Sequence, residues 1–352
     1  MRVGPTLAAD QQERVRTWLA RLAKLFALGR SDGPDDRPIE ELILEGRRRY
    51  TWAEMMDETR MDPQLAARLW RSMGFADADE HEVAFTDADR DAIRRIDRVR
   101  ASALLPSDIE LAATRALGQA MGALADWQVQ MLHQIVPVSE TDIGEEHIQG
   151  AVEELLPLLE TMQNYIWRRH LATAAGRLMT ARSDGSPTRT LVVGFADMVE
   201  FTRTTRELPP FELLELVDGF QAAAAELVAT HHGRVVKTVG DEVLFVTEQP
   251  DDAAEIALGL IDQFATIDWL PELRIGMALG PVLTRFGDVY GEVVNIASRL
   301  TTHAKPGRIL IDAGLADELE HNSTYRVRPR RTLNVRGYRH LRSWGLTAAE
   351  RI

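Results

Sequence analysis

At 352 residues with 45% hydrophobic side chains, the chain exceeds one average domain and can bury a sizeable core in each of two. Its formal net charge of −13 excludes broad, nonspecific attraction to nucleic acid, because the average field repels the phosphate backbone. The absence of cysteine excludes disulfides, thiolate metal sites and cysteine nucleophiles, and no signal-peptide pattern or apolar run near the roughly 20 residues of a membrane span is found, so the expectation is a soluble, cytoplasmic chain with no membrane span.

Residues 7–30 repeat apolar positions at three-to-four spacing, as an amphipathic helix does, until SDGPDDRP breaks the pattern. Further short helical patterns run from Ile39 to about Gln134, so the half spanning 1–144 reads as all helical. Residues 145–181 form a longer helical stretch with Pro157 as a kink or restart, and RSDGSPTRT at 182–190 fits a linker. Beyond it come an apolar strand (190–197), a helix (about 210–231), the hairpin VVKTVGDEVLF, a helix (about 251–265) and a strand (273–280). This β-α-β-β-α-β order predicts an α+β, ferredoxin-like domain over 185–352, an antiparallel sheet with helices on one face. A second hairpin, a helix from about Gly291 and a terminal pair of strands extend it.

The hairpin is unusual for a core element because it carries Lys237, Asp241 and Glu242. Asp197 ends the first strand in FADMVEFT, and in this topology that strand lies beside the hairpin, so Asp197 and Asp241 reach one edge of the sheet. Two carboxylates with all-oxygen surroundings suit Mg²⁺ or Mn²⁺. The turn Met198–Thr202, which includes Phe201, leads into a helix whose unpaired backbone N–H groups offer an anion site. In GDVYGEVVNIASRL, Asn295 and Arg299 stand four apart on one helical face, preceded by Asp288.

FADMVEFT, VVKTVGDEVLF and GDVYGEVVNIASRL resemble, in order and spacing, the signature blocks of the class III nucleotidyl cyclases, over about 185–346. The resemblance implies a head-to-tail homodimer with two shared active sites, each holding two Mg²⁺ or Mn²⁺ ions on Asp197 and Asp241 with help from the Met198 carbonyl. It implies that Lys237 and Asp288 read the base, that Asn295 orients the ribose, and that Arg299 stabilises charge on the α-phosphate. Phe201 and Thr202 would line the nucleotide site, and a basic residue near the end of the domain, Arg336 with Arg330 and Arg331 as competitors, would meet the terminal phosphates. Adenine presents N1 as acceptor and the N6 amine as donor, which matches a lysine and a carboxylate; guanine demands the reverse. ATP is therefore the expected substrate, with a guanylyl cyclase, or a sensor or DNA-binding protein with an inactive cyclase domain, as alternatives. Pro281 departs from the pattern, standing where some relatives carry a polar or basic residue.

Residues 51–96 loosely resemble the helix-turn-helix and short wing of MerR-type regulators, but in acidic surroundings that disfavour nucleic acid. The half as a whole is similar to the helical regulatory domains preceding the cyclase domain in some actinobacterial adenylyl cyclases. His133, His147 and His170 near the connector suggest a proton as the regulatory signal, and the Leu-, Ala- and Met-rich helices suggest a small apolar ligand.

Overall fold

The computed structural model describes residues 39–349 apart from 60, 103–105, 136–144, 182–187, 267–269 and 336, so the expected helix over 7–30 lies outside the described residues. The chain divides into two compact units, Met1–Gly176 and Arg177–Ile352.

In the first unit, α1 (Ile39–Ile43), α2 (Trp52–Thr59), α3 (Pro63–Ser72), α4 (Asp87–Ala101), α5 (Ser107–Ile135) and most of α6 (Glu145–Ala181) follow one another. Local chemistry sets their starts. Asp62 accepts the Gln64 N–H while Pro63 occupies a first-turn position where its missing donor is no loss. Thr86 and Asp89 form a reciprocal capping box on α4. Between α3 and α4 the chain returns to bridge Tyr50 with Phe85, and Phe85 packs in a small core with Met55, Leu69 and Ile93. The Tyr50 hydroxyl donates to Asp87 across 2.9 Å, pinning this return to the start of α4. Pro157 lies inside α6, which runs through it as one helix and does not restart there.

The second unit opens with β1 (Thr188–Met198), α7 (Phe201–Glu207), α8 (Pro210–Thr230), β2 (Arg234–Val239), β3 (Glu242–Thr247), α9 (Pro250–Ala265) and β4 (Leu273–Arg285). There follow β5 (Asp288–Tyr290), α10 (Glu292–His303), β6 (Arg308–Ile311), α11 (Ala313–Leu319), β7 (Tyr325–Pro329), β8 (Leu333–Val335), β9 (Tyr338–Leu341) and β10 (Trp344–Ala348). The sheet order is β2-β3-β1-β4-β6-β10-β7, with β5 paired to β4 alone. Its first four strands are antiparallel, the ferredoxin-like plan expected of a β-α-β-β-α-β chain, and the β4–β6 pair is parallel.

The sheet is covered on both faces, not on one as the sequence suggests. Strand alternation sends Val192, Ala196 and Met198 into a core with α8 and α9, while Leu191, Val193 and Phe195 enter a second core with Val293 and Ala297 of α10. Gly276 makes the second contact possible: a Cβ there would lie 2.2 Å from the Thr301 backbone nitrogen, so only glycine lets α10 sit this close to β4. The separate β8–β9 hairpin adds Leu341 against Leu300 on the far side of α10. Among the described residues no helix is long and apolar enough to cross a membrane.

Candidate active site

Asp197 belongs to the face of β1 that α10 covers, and its Cα partner across the ladder is Glu242 of β3. Next to it, the Met198 N–H donates to the Asp241 carbonyl oxygen over 3.1 Å, so the β2–β3 turn is stitched to the end of β1. Gly240, at φ +60°, supplies the left-handed conformation this tight turn requires. Burial and then the nearby Asp241 charge push the Asp197 carboxyl above its ordinary range, against a lowering by Arg274. Glu242 is raised too, by burial first and then by Asp197 and Asp241. Three acids crowded at one sheet edge are what the expected pairing of Asp197 and Asp241 requires.

Arg274 is absent from the sequence-based set. It lies directly opposite Asp197 in the β1–β4 ladder, and its Nε and Nη2 both reach Asp197 Oδ2 at 2.5 Å. The fork satisfies one carboxylate oxygen and leaves Oδ1 outside that contact. A lone arginine in the apolar run LRIGMALG is the available signal, but only the strand register pairs it with Asp197.

The residues fit a divalent cation in chemistry: Asp197, Asp241 and the Met198 carbonyl offer hard oxygen donors, and the burial and, after it, the Asp241 charge that lift Asp197 both disfavour its bare carboxylate, which positive charge stabilises. Among the described residues no group of three or more His, Asp or Glu side chains could by itself hold a metal ion. Two carboxylates suit a cation such as Mg²⁺, which keeps waters and is completed by substrate phosphates.

Lys237 of β2 and Asp288 of β5 meet as expected, Nζ to Oδ2 at 2.7 Å. Asp288 Oδ1 accepts the Val289 N–H at 2.8 Å. Burial pushes the Asp288 carboxyl up, but the hydrogen bonds from Lys237 and Val289 and the charges of Lys237 and Arg234 outweigh it, so the group titrates below the usual carboxylate range. It is an acceptor with a lysine donor at its side. Arg234, which also went unmarked in the sequence, donates from Nη1 to the Gly287 carbonyl at 2.9 Å.

Asn295 and Arg299 lie one turn apart on α10, Asn295 exposed and Arg299 half-buried. Burial and then Glu292 raise the Tyr338 hydroxyl, against a smaller lowering by Arg299, which places the β8–β9 hairpin beside this part of the helix. Phe201 begins α7 half-buried against the α8–α9 core, with Thr202 exposed next to it. Arg336 lies outside the described residues; of its competitors, Arg331 is exposed and the Arg330 guanidinium packs over Gly345. His170 is exposed on α6, and the side chains of His133 and His147 lie outside the described residues.

A sheet of this order with apposed acids on β1 and the β2–β3 turn, and an Asn and Arg one turn apart on the helix behind, defines a nucleotide-handling enzyme class, and residues 185–348 match the family described as the adenylate and guanylate cyclase catalytic domain. A protein named adenylate cyclase from Streptomyces coelicolor is 43% identical over 80% of this chain and 74% of its own. One of the same name from Streptomyces griseus is 39% identical over 91% and 82%. A third, from Glutamicibacter nicotianae, is 30% identical over 89% and 82%. The chain belongs to the class III nucleotidyl cyclases.

Proposed function

We propose that this protein is an adenylyl cyclase that converts ATP to 3′,5′-cyclic AMP and pyrophosphate. The observation that carries the choice of base is the Lys237–Asp288 pair, a cationic donor held 2.7 Å from an ionised acceptor. Its donor matches adenine N1 and its acceptor matches the N6 amine, whereas guanine O6 and N1 offer the opposite pattern. The names of the relatives agree with this choice.

Asp197, Asp241 and the Met198 carbonyl would hold the metal ions, and Arg274 keeps the Asp197 carboxylate oriented. When bound, two Mg²⁺ or Mn²⁺ ions supply charge to the phosphates and acidify the ribose 3′-hydroxyl. Asn295 orients the ribose. The 3′-hydroxyl gives up its proton to solvent as its oxygen attacks the α-phosphorus, the bond from phosphorus to the α–β bridging oxygen breaks, and pyrophosphate leaves with that oxygen. Arg299 stabilises the charge that builds on the α-phosphate, electrostatic help that costs no reorganisation during the step. Phe201 and Thr202 flank the nucleotide, with Arg336 on the terminal phosphates.

The sites are shared between two copies of the chain, metals from one and base recognition from the other. The helical half, 1–144, regulates them through the connector 145–184, with a proton or a small apolar ligand as the signal. The acidic surroundings of the MerR-like stretch 51–96 disfavour a nucleic-acid role. A cytoplasmic location fits a nucleoside triphosphate substrate and a cysteine-free chain. Incubation of the purified chain with Mn²⁺ and either ATP or GTP tests the activity. Cyclic AMP formed from ATP, abolished by EDTA and restored by metal, is the expected result; product from GTP alone, or from neither, refutes the assignment.

A further inference from the structure

Between Val235 and Lys237 the β2–β3 ladder slips by one residue: Arg234 faces Val246 and Val235 faces Phe245, but Lys237, not Val236, faces Leu244. Val246 and Leu244 belong to the core beneath α10, and Phe245 to the opposite core. In a regular strand, residues three apart point to opposite faces. The bulge cancels that alternation and puts Arg234 and Lys237 on one face, which is what a bulge does when it re-aims a side chain.

Both side chains then reach the same short turn. Lys237 takes Asp288 at 2.7 Å, and Arg234 donates to the carbonyl of the residue before it, Gly287, at 2.9 Å. The turn needs holding. It joins β4 to β5 through Phe286 and Gly287, both with positive φ (+51° and +84°), and Phe286 is not a residue that favours this region. The strand it supports is three residues long and pairs with β4 alone. The Phe286 side chain is half exposed, with the Arg285 guanidinium 5.1 Å from its ring centre.

We propose that Arg234 is a positioning residue for base selection: delivered to the correct face by the bulge at Val236, it clamps the Gly287 carbonyl and so fixes the Asp288 carboxylate at the height from which it meets the purine amine. This rests on the adenylyl cyclase assignment above and deepens it. Arg234 touches no substrate atom in this scheme. It also adds a second positive charge beside Asp288, favouring the ionised acceptor over a neutral carboxyl that could donate to guanine O6.

The test is steady-state kinetics on the full chain with Mn²⁺, ATP and GTP, comparing wild type with Arg234→Gln and Arg234→Lys, alongside Mn²⁺ affinity from the loss of the free-ion electron paramagnetic resonance signal and the melting temperature. Arg234→Gln is expected to raise KM for ATP about fivefold or more and to narrow the ATP-to-GTP ratio of kcat/KM by about tenfold, with kcat reduced far less and Mn²⁺ affinity unchanged. Arg234→Lys, which keeps the charge but reaches less far with a single ammonium, is expected to fall between the two. An active wild type with KM and the ratio unchanged in Arg234→Gln overturns the proposal and leaves the adenylyl cyclase assignment standing. A lower kcat and melting temperature with an unchanged ratio also overturns it, as a purely structural role. If Arg234→Gln does not fold, Arg234→Lys decides, and wild-type KM and selectivity there overturn the proposal. A wild type that turns over GTP and not ATP refutes the assignment and this inference with it.

Discussion

In the proposed mechanism, the residue that most directly decides the substrate is Lys237. Its ammonium is the only element of the base-reading pair that can donate to adenine N1, and a charge-assisted bond of this kind contributes about 1.5–3 kcal/mol. Lys237→Glu removes that donor and sets a second carboxylate against Asp288 across a contact that is now 2.7 Å. It is expected to lower kcat/KM for ATP by about 10- to 10²-fold, while GTP, whose N1 donates, loses less. Parallel measurements with both nucleotides check this, and an equal loss for the two would show that the pair does not read the base. Asp197 illustrates the opposite balance. One of its carboxylate oxygens is engaged by Arg274, which lowers its titration, but burial, with the Asp241 charge, outweighs that and leaves it raised.

At the scale of elements, α10 is the part whose placement matters most, because Asn295 and Arg299 ride on it together. Its seat on the sheet depends on Gly276, where an added Cβ would lie 2.2 Å from the Thr301 nitrogen and 2.5 Å from the Ala297 carbonyl oxygen. Both neighbours are backbone, so the helix itself must move. Gly276→Ala is expected to cost about 1–3 kcal/mol of stability through overpacking, and to depress turnover by up to about 10²-fold through misplacement of Arg299. Gly219→Ala on α8, where nothing lies within 4 Å, is the control and should be neutral or slightly stabilising. Thermal melts and initial rates of the two variants read this out; equal behaviour would mean that α10 tolerates displacement.

At the scale of the whole molecule, the proposed sharing of each site between two copies makes a complementation experiment decisive. Asp197→Ala and Arg299→Ala chains are each expected to lose at least about 10²-fold in turnover, yet a mixture should assemble one intact site per mixed dimer and recover activity toward the limit set by random pairing. Absence of recovery, with subunit exchange demonstrated, would place both groups in one protomer's site. The connector enters β1 directly in the sequence, so a change in its packing can alter the relative placement of two protomers without touching ATP. The fragment 185–352 is therefore expected to keep the ATP preference but to differ from the full chain in maximal rate by more than about tenfold, or roughly 1.4 kcal/mol. Equal rates at pH 5.5–8, at concentrations where both are dimers, would remove the regulatory role.

The sequence by itself determined the fold class and the family, and it marked the candidate site residues. Hydrophobic periodicity distinguishes strands from helices locally, so the β-α-β-β-α-β core corresponds to the observed elements within a few residues, whereas the expected terminal pair of strands is five strands, β6–β10, with α11 between β6 and β7. Asp197, Asp241, Lys237, Asp288, Asn295 and Arg299 stand in short blocks that resemble the class III cyclase signatures, and that resemblance is what marks them as candidates for metal, base and phosphate. Arg274 and Arg234 were not legible in this way. Each acts on a residue far along the chain, Asp197 and Gly287, and becomes meaningful only when strand register sets Arg274 opposite Asp197 and a one-residue slip turns Arg234 to the side of Lys237. The second covered face was hidden for the same reason. The contact of α10 with β4 rests on the closeness that one glycine permits, and a missing side chain leaves no hydrophobic signal to read. Tertiary structure decided these points because register, bulges and close approach are properties of pairs of segments, and no single segment carries them.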